Sequence, residues 1–177
     1  MKTIVIGLGN PILGDDGAGW KVAEEVKKLL PLPPASSTLG QDAKRLDQQF
    51  RSARVEEGGE VEVEFLSLGG ISLMEHLIGY ERAILIDAVS SDQETGSVIV
   101  SKLSEIPDYS AFHTTSAHDT SLQNALKLGK AMGANLPEDV TVVGIATNHI
   151  YDFSEELSPP VEQAIPKATK IVISLLA

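Results

Sequence analysis

The chain has 177 residues, 42% hydrophobic and 22% charged, which is enough for one domain with its own core. A net charge of −11 argues against a nucleic-acid partner, because neutralising phosphates takes clustered Lys and Arg; a cation or a basic segment would be drawn in instead. No apolar run approaches the roughly 18 residues of a membrane span. The absence of cysteine excludes disulfides, thiolate nucleophiles and zinc–sulfur sites, and the opening Met1-Lys2-Thr3 has no signal-peptide pattern, so a cytoplasmic location is expected.

"TIVIGL" at 3–8 is rich in β-branched residues and predicts a buried strand. A helix is expected over 16–30, with Ala18, Val22, Val26 and Leu29 at spacings of three and four. Asp15 or Asp16 is available to cap its start, and "PLPP" at 31–34 ends it. The polar stretch 35–60 breaks the pattern. Only Leu46, Phe50 and Ala53 hint at an amphipathic helix, so about 31–60 reads as an insertion within a single domain spanning 1–177. "EVEVEFLSL" at 60–68 alternates as a half-exposed, edge-proximal strand should.

A short helix is expected at 71–79, a buried strand "RAILID" at 82–87 and a further strand at 96–103. Residues 119–133 predict an amphipathic helix with Leu122, Ala125, Leu126, Gly129, Met132 and Gly133 on one face. A strand at 139–147 follows. The last helix is expected over 158–176, with prolines in its first turn and a stripe of Val161, Ile165, Ala168, Ile171, Val172 and Leu175. Alternating strands and helices imply an α/β/α sandwich around a mostly parallel sheet, with ligands at the carboxyl ends of the strands near the switch in strand order.

Three places put a titratable or metal-competent side chain at that edge: Asp15-Asp16 after the first strand, Asp87 closing "AILID", and His118 before the helix at 119. Each has an ordinary explanation. An aspartate at a helix start caps it, Asp87 can accept backbone N–H bonds from the following loop, and His118 can be a hydrogen-bonded loop histidine. Only one aspartate can occupy the cap, however. Two carboxylates and one imidazole together suit a transition-metal dication such as zinc or nickel and leave coordination positions open. His76 is expected to be exposed, His113 to sit in a loop, and His149 in a loop that could border the same edge. No Ser lies in a G-x-S-x-G elbow.

"GLGNPI" invites a dinucleotide reading, but Ile12 replaces the third glycine, Pro11 removes an N–H donor, and Asp15 and Asp16 occupy the place of a pyrophosphate. Peptidyl-tRNA hydrolases also open with a "GLGNP"-like loop. They continue with a Thr-Arg-His-Asn segment, which is absent here, and this chain is strongly acidic.

Taken whole, "GLGNPILGDDGAG" resembles the opening of the hydrogenase maturation endopeptidases, proteases that remove a C-terminal extension from the large subunit of nickel–iron hydrogenases. "ILIDAV", "TSAHDTSL" and "VVGIAT…SEELSPPVEQAI" follow in the family's order. The resemblance covers nearly all the chain except about 31–60. It implies a five-stranded, mostly parallel sheet with one antiparallel strand, assigned to 96–103. It also implies that Asp16, Asp87 and His118 form the catalytic, metal-contacting trio. Nickel would arrive with the hydrogenase precursor, zinc or cadmium could replace it in vitro, and Asp16 or Asp87 would be the general base. Many members carry Asp before the Gly-Gly that follows the second strand, whereas here Leu68 precedes Gly69-Gly70. The alternative reading is a noncatalytic cation- or cofactor-binding α/β module. Oligomeric state is not legible, and no membrane partner is expected.

Overall fold

The computed structural model describes residues 1–30, 52–55, 59–106, 120–148 and 153–177. Among these residues six strands form one sheet in the order β2-β3-β1-β4-β6-β5. They are β1 (Lys2–Leu8), β2 (Ser52–Val55), β3 (Gly59–Leu66), β4 (Arg82–Val89), β5 (Val98–Lys102) and β6 (Asp139–Ala146). The central strands β3, β1, β4 and β6 are parallel, and β5 runs antiparallel to β6 as expected. These five strands are the expected sheet. The sixth, β2, lies inside the stretch expected to be only a polar insertion and pairs antiparallel with β3. At four residues on the outside of a polar strand, it carries too little apolar periodicity to be read beforehand.

Among the described residues four helices flank the sheet: α1 (Ala18–Leu29), α2 (Gly70–His76), α3 (Leu122–Ala131) and α4 (Pro159–Leu176). Strand alternation sends Val5, Ile84, Ile86, Val143 and Ile145 to the face covered by α1 and α4. Ile4, Ile6, Leu8, Leu85 and Val142 go to the face covered by α2 and α3. The stripe on α4 is largely as expected, with Val161, Ile165, Ala168 and Val172 buried. The α3 face is narrower than its periodicity suggests. Leu122, Ala125 and Gly129 are buried, but Met132 lies past the helix end and is 79% exposed.

The chain leaves β1 toward β3 on one side, and leaves β4 toward β6 on the other. The order therefore reverses between β1 and β4, and in such sheets a crevice opens at that point on the carboxyl edge.

Candidate functional site

The turn after β1 is built to fold back on itself. Gly9 has φ +127°, and a Cβ there would lie 1.8 Å from the Asp16 carbonyl oxygen, so no other residue fits. The Asn10 side chain accepts the Ile12 N–H at 3.2 Å, and the Leu13 N–H donates to the Asn10 carbonyl at 3.0 Å. A single 3-10 turn, Gly14–Gly17, then presents both aspartates. Neither caps α1, whose N-cap is Gly17 with no side-chain bond, so the expected capping role is corrected.

Asp15 caps a different helix. It is 2% exposed, and its Oδ1 accepts the Ser158 N–H at 2.6 Å at the start of α4. Its Oδ2 accepts the Thr147 hydroxyl at 2.6 Å and the Ser158 hydroxyl at 2.8 Å. Pro159 and Pro160 have no N–H to offer, so this carboxylate supplies the negative group that the N-terminus of α4 favours. The clasp ties the turn to the end of β6 and to the last helix. Thr147 and Ser158 carry no local motif that could have marked them as partners of Asp15.

Asp16 is 1% exposed, and its Oδ2 accepts the Asn10 N–H at 2.7 Å. Asp87 is fully buried on β4, opposite Gly144 of β6 and one residue past Ile86, the register partner of Gly7. A Cβ on Gly19 would lie 2.2 Å from the Leu8 carbonyl oxygen and 2.4 Å from that of Ile86. The first turn of α1 therefore rests directly on the carboxyl ends of β1 and β4. Asp16 precedes this contact by three residues and Asp87 follows it by one, so both sit at the switch point. The close packing that a dinucleotide fold assigns to its third loop glycine falls here to Gly7 and Gly19, on the strand and the helix.

The rim continues to β3. The Gly9 N–H donates to the Leu66 carbonyl at 3.1 Å, and the Ser67 hydroxyl donates to the Gly9 carbonyl at 2.6 Å. Leu68, where many members of the resembled family have aspartate, packs half-buried against the α2/α3 core. His118, His113 and His149 lie outside the described residues. Thr120, two positions after His118, is described: a Cβ on Gly70 would lie 2.7 Å from its carbonyl oxygen, which places it beside the start of α2. The His76 side chain is more than a third exposed, and its Nδ1 lies 2.9 Å from Glu64 Oε2. Among the described residues no three His, Asp or Glu side chains converge closely enough to hold a metal ion.

The fold and rim together define an α/β protein with carboxylates buried at the switch point of a mostly parallel sheet. A family model described as hydrogenase maturation protease matches residues 44–175, and the chain belongs to that family. The hydrogenase expression/formation protein HupD of Rhizobium leguminosarum bv. viciae is 25% identical over 175 residues, covering 99% of this chain and 74% of the relative. HupM of Azotobacter chroococcum mcd 1 is 25% identical over 174 residues, covering 98% and 71%. The hydrogenase maturating endopeptidase HybD from E. coli shares the fold at a TM-score of 0.68 and 22% identity, covering 99% of this chain and 92% of that one. The maturation protease HybD from Thermococcus kodakarensis does so at 0.57 and 24%, covering 99% of both. The mixed sheet of the five expected strands, with its flanking helices, matches the α/β fold of these structures. No helix among the described residues is long and apolar enough to cross a membrane.

Proposed function

We propose that this chain is the endopeptidase that removes the C-terminal extension of a nickel–iron hydrogenase large-subunit precursor after nickel has been inserted. The observation that carries the reading is the burial of Asp16 and Asp87 at the carboxyl ends of two adjacent parallel strands, at the switch point, in a member of the maturation protease family. Buried carboxylates persist where they are hydrogen-bonded or bound to a cation. Two of them on one rim, with an imidazole as third donor in the role the family likeness gives His118, would suit a dication of the nickel or zinc type.

Nickel is part of the substrate in this reading. It is held by the precursor, and Asp16, Asp87 and His118 complete its coordination. The metal serves as the mark that insertion is finished, and a dication held there would supply Lewis acidity toward the scissile carbonyl or a water. The chain's own part is to fix the carboxylates before the precursor arrives. The Asp15 clasp and the Gly9 turn hold Asp16, the sheet holds Asp87, and one of the two accepts the proton of the attacking water. The reaction belongs to the cytoplasm.

The test compares nickel-loaded and nickel-free precursor. The loaded form is cut and the nickel-free form is not; equal cleavage of both sinks the checkpoint. Alanine at Asp16, Asp87 or His118 abolishes processing in each case. Near-normal cleavage by all three variants rules the site out, whereas no cleavage of loaded precursor by the wild-type chain leaves a noncatalytic cation- or cofactor-binding module as the reading.

A further inference from the structure

Two exposed large apolar residues lie on neighbouring backbone segments beside the proposed site. Ile12 is 48% exposed and Phe153 86%. Their segments are far apart in sequence but joined by a parallel bridge between Leu13 and Ser154. The Ser154 N–H donates to the Ile12 carbonyl at 3.2 Å, and the Gly14 N–H donates to the Ser154 carbonyl at 2.6 Å. Ile12 and Phe153 each precede a bridge partner. Their backbone positions therefore lie on neighbouring segments at one end of the bridge. The ribbon is firmly held, because the Asp15 clasp on Thr147 and Ser158 pins both of its strands within a few residues of the bridge. The pair is thus presented on a rigid support, the condition under which apolar contacts add most to affinity.

We infer that Ile12 and Phe153 form the apolar half of the substrate-docking surface, gripping an apolar side chain of the precursor next to the bond to be cut, while Glu155 and Glu156 meet a basic residue beside it. The inference rests on the endopeptidase reading and names how the partner is held. Position argues for the substrate, since Ile12 lies four residues before Asp16 on the same turn. Charge argues the same way. Glu155 and Glu156 are both exposed directly after the bridge, so a basic segment is attracted there. A second copy of this chain would bring its own carboxylates and a net charge of −11 against them, and an anionic lipid surface would be repelled. The patch is also small. Two side chains provide far less than the roughly 1,200 Å² of a stable protein dimer, but they are sufficient to anchor one extended peptide.

The experiment measures cleavage kinetics of nickel-loaded precursor by the full chain. Phe153→Ser raises KM roughly tenfold and Ile12→Ser somewhat less, with kcat held, because the contact is made equally in ground and transition states. Melting temperature stays unchanged, since both side chains face solvent. Phe153→Leu restores most of the affinity. Glu155→Lys with Glu156→Lys raises KM and flattens its dependence on salt. An unchanged KM in the Ile12→Ser, Phe153→Ser double variant overturns the docking surface. So does a wild-type dimer in sedimentation that the double variant converts to monomer. Failure of the site assignment is separately visible, because it appears as full activity of Asp16→Asn, whereas failure of the docking surface appears only in KM.

Discussion

Two groups of carboxylates sit on the same sheet under opposite conditions. Along β3, Glu62 and Glu64 are half-buried and matched by charge or by a strong donor. Lys2 Nζ lies 3.1 Å from Glu62 and 4.6 Å from the Tyr80 ring, the Tyr80 hydroxyl donates to Glu62, and His76 pairs with Glu64. At the rim, Asp15, Asp16 and Asp87 are each no more than 2% exposed, and Asp15 is met by neutral hydroxyl and amide donors. The first group is a surface ladder whose members can be replaced one at a time. The second is fixed by the backbone at the one place in the fold where two chain connections diverge. Acidity alone does not separate the two groups in this molecule, whereas burial at the switch point does.

The sharpest way to break that contrast is to neutralise one member of each group. Asp16→Asn or Asp87→Asn lowers precursor processing at least about 100-fold, the usual scale of a lost acid–base group, while Glu64→Gln leaves it within about twofold. A mobility-shift assay of the precursor reads both. Asp15→Ala strands the Thr147 hydroxyl and the N–H and hydroxyl of Ser158 without their acceptor. A loss of about 3 kcal/mol is expected, or a fall of roughly 6–12 °C in melting temperature, followed by thermal denaturation.

The ladder has a milder signature on the alkaline side. Burial, then the bond to Glu62, holds the Tyr80 hydroxyl above its ordinary pKa of 10.0. Below pH 10 the folded and unfolded chains both carry this proton and stability is unaffected. Above it the unfolded chain loses the proton that the folded chain keeps, so stability falls with rising pH. Tyr80→Phe removes that component, and its melting temperature declines less steeply above pH 10. The smallest effect belongs to His76→Ala. Its pairing with Glu64 is more than a third exposed on the histidine side, so a change of under about 1 kcal/mol and unaltered cleavage are expected.

Much of the fold could be read from periodicity, because the buried strands "TIVIGL" and "RAILID" and the α4 stripe follow their patterns almost residue for residue. The antiparallel placement of 96–103 came with the family likeness and holds for Val98–Lys102. Strand β2 was hidden because four residues in polar company give no signal. The site was only half legible. A doubled aspartate showed that one carboxylate had more to do than cap a helix, but local reasoning assigned the cap to the neighbouring α1. The group that Asp15 caps lies 143 residues away, and no spacing rule reaches that far. Tertiary geometry decided which of the two aspartates is structural.

That long reach also sets an order of events during synthesis. The ribosome emits β1 and the two aspartates early, but Ser158 emerges only after every strand of the sheet has been made. Until then the carboxylate at position 15 has no helix to hold, and the loop bearing Asp16 and Ile12 lacks its fastening. The rim around the opening turn is therefore finished last, when the start of the C-terminal helix meets Asp15.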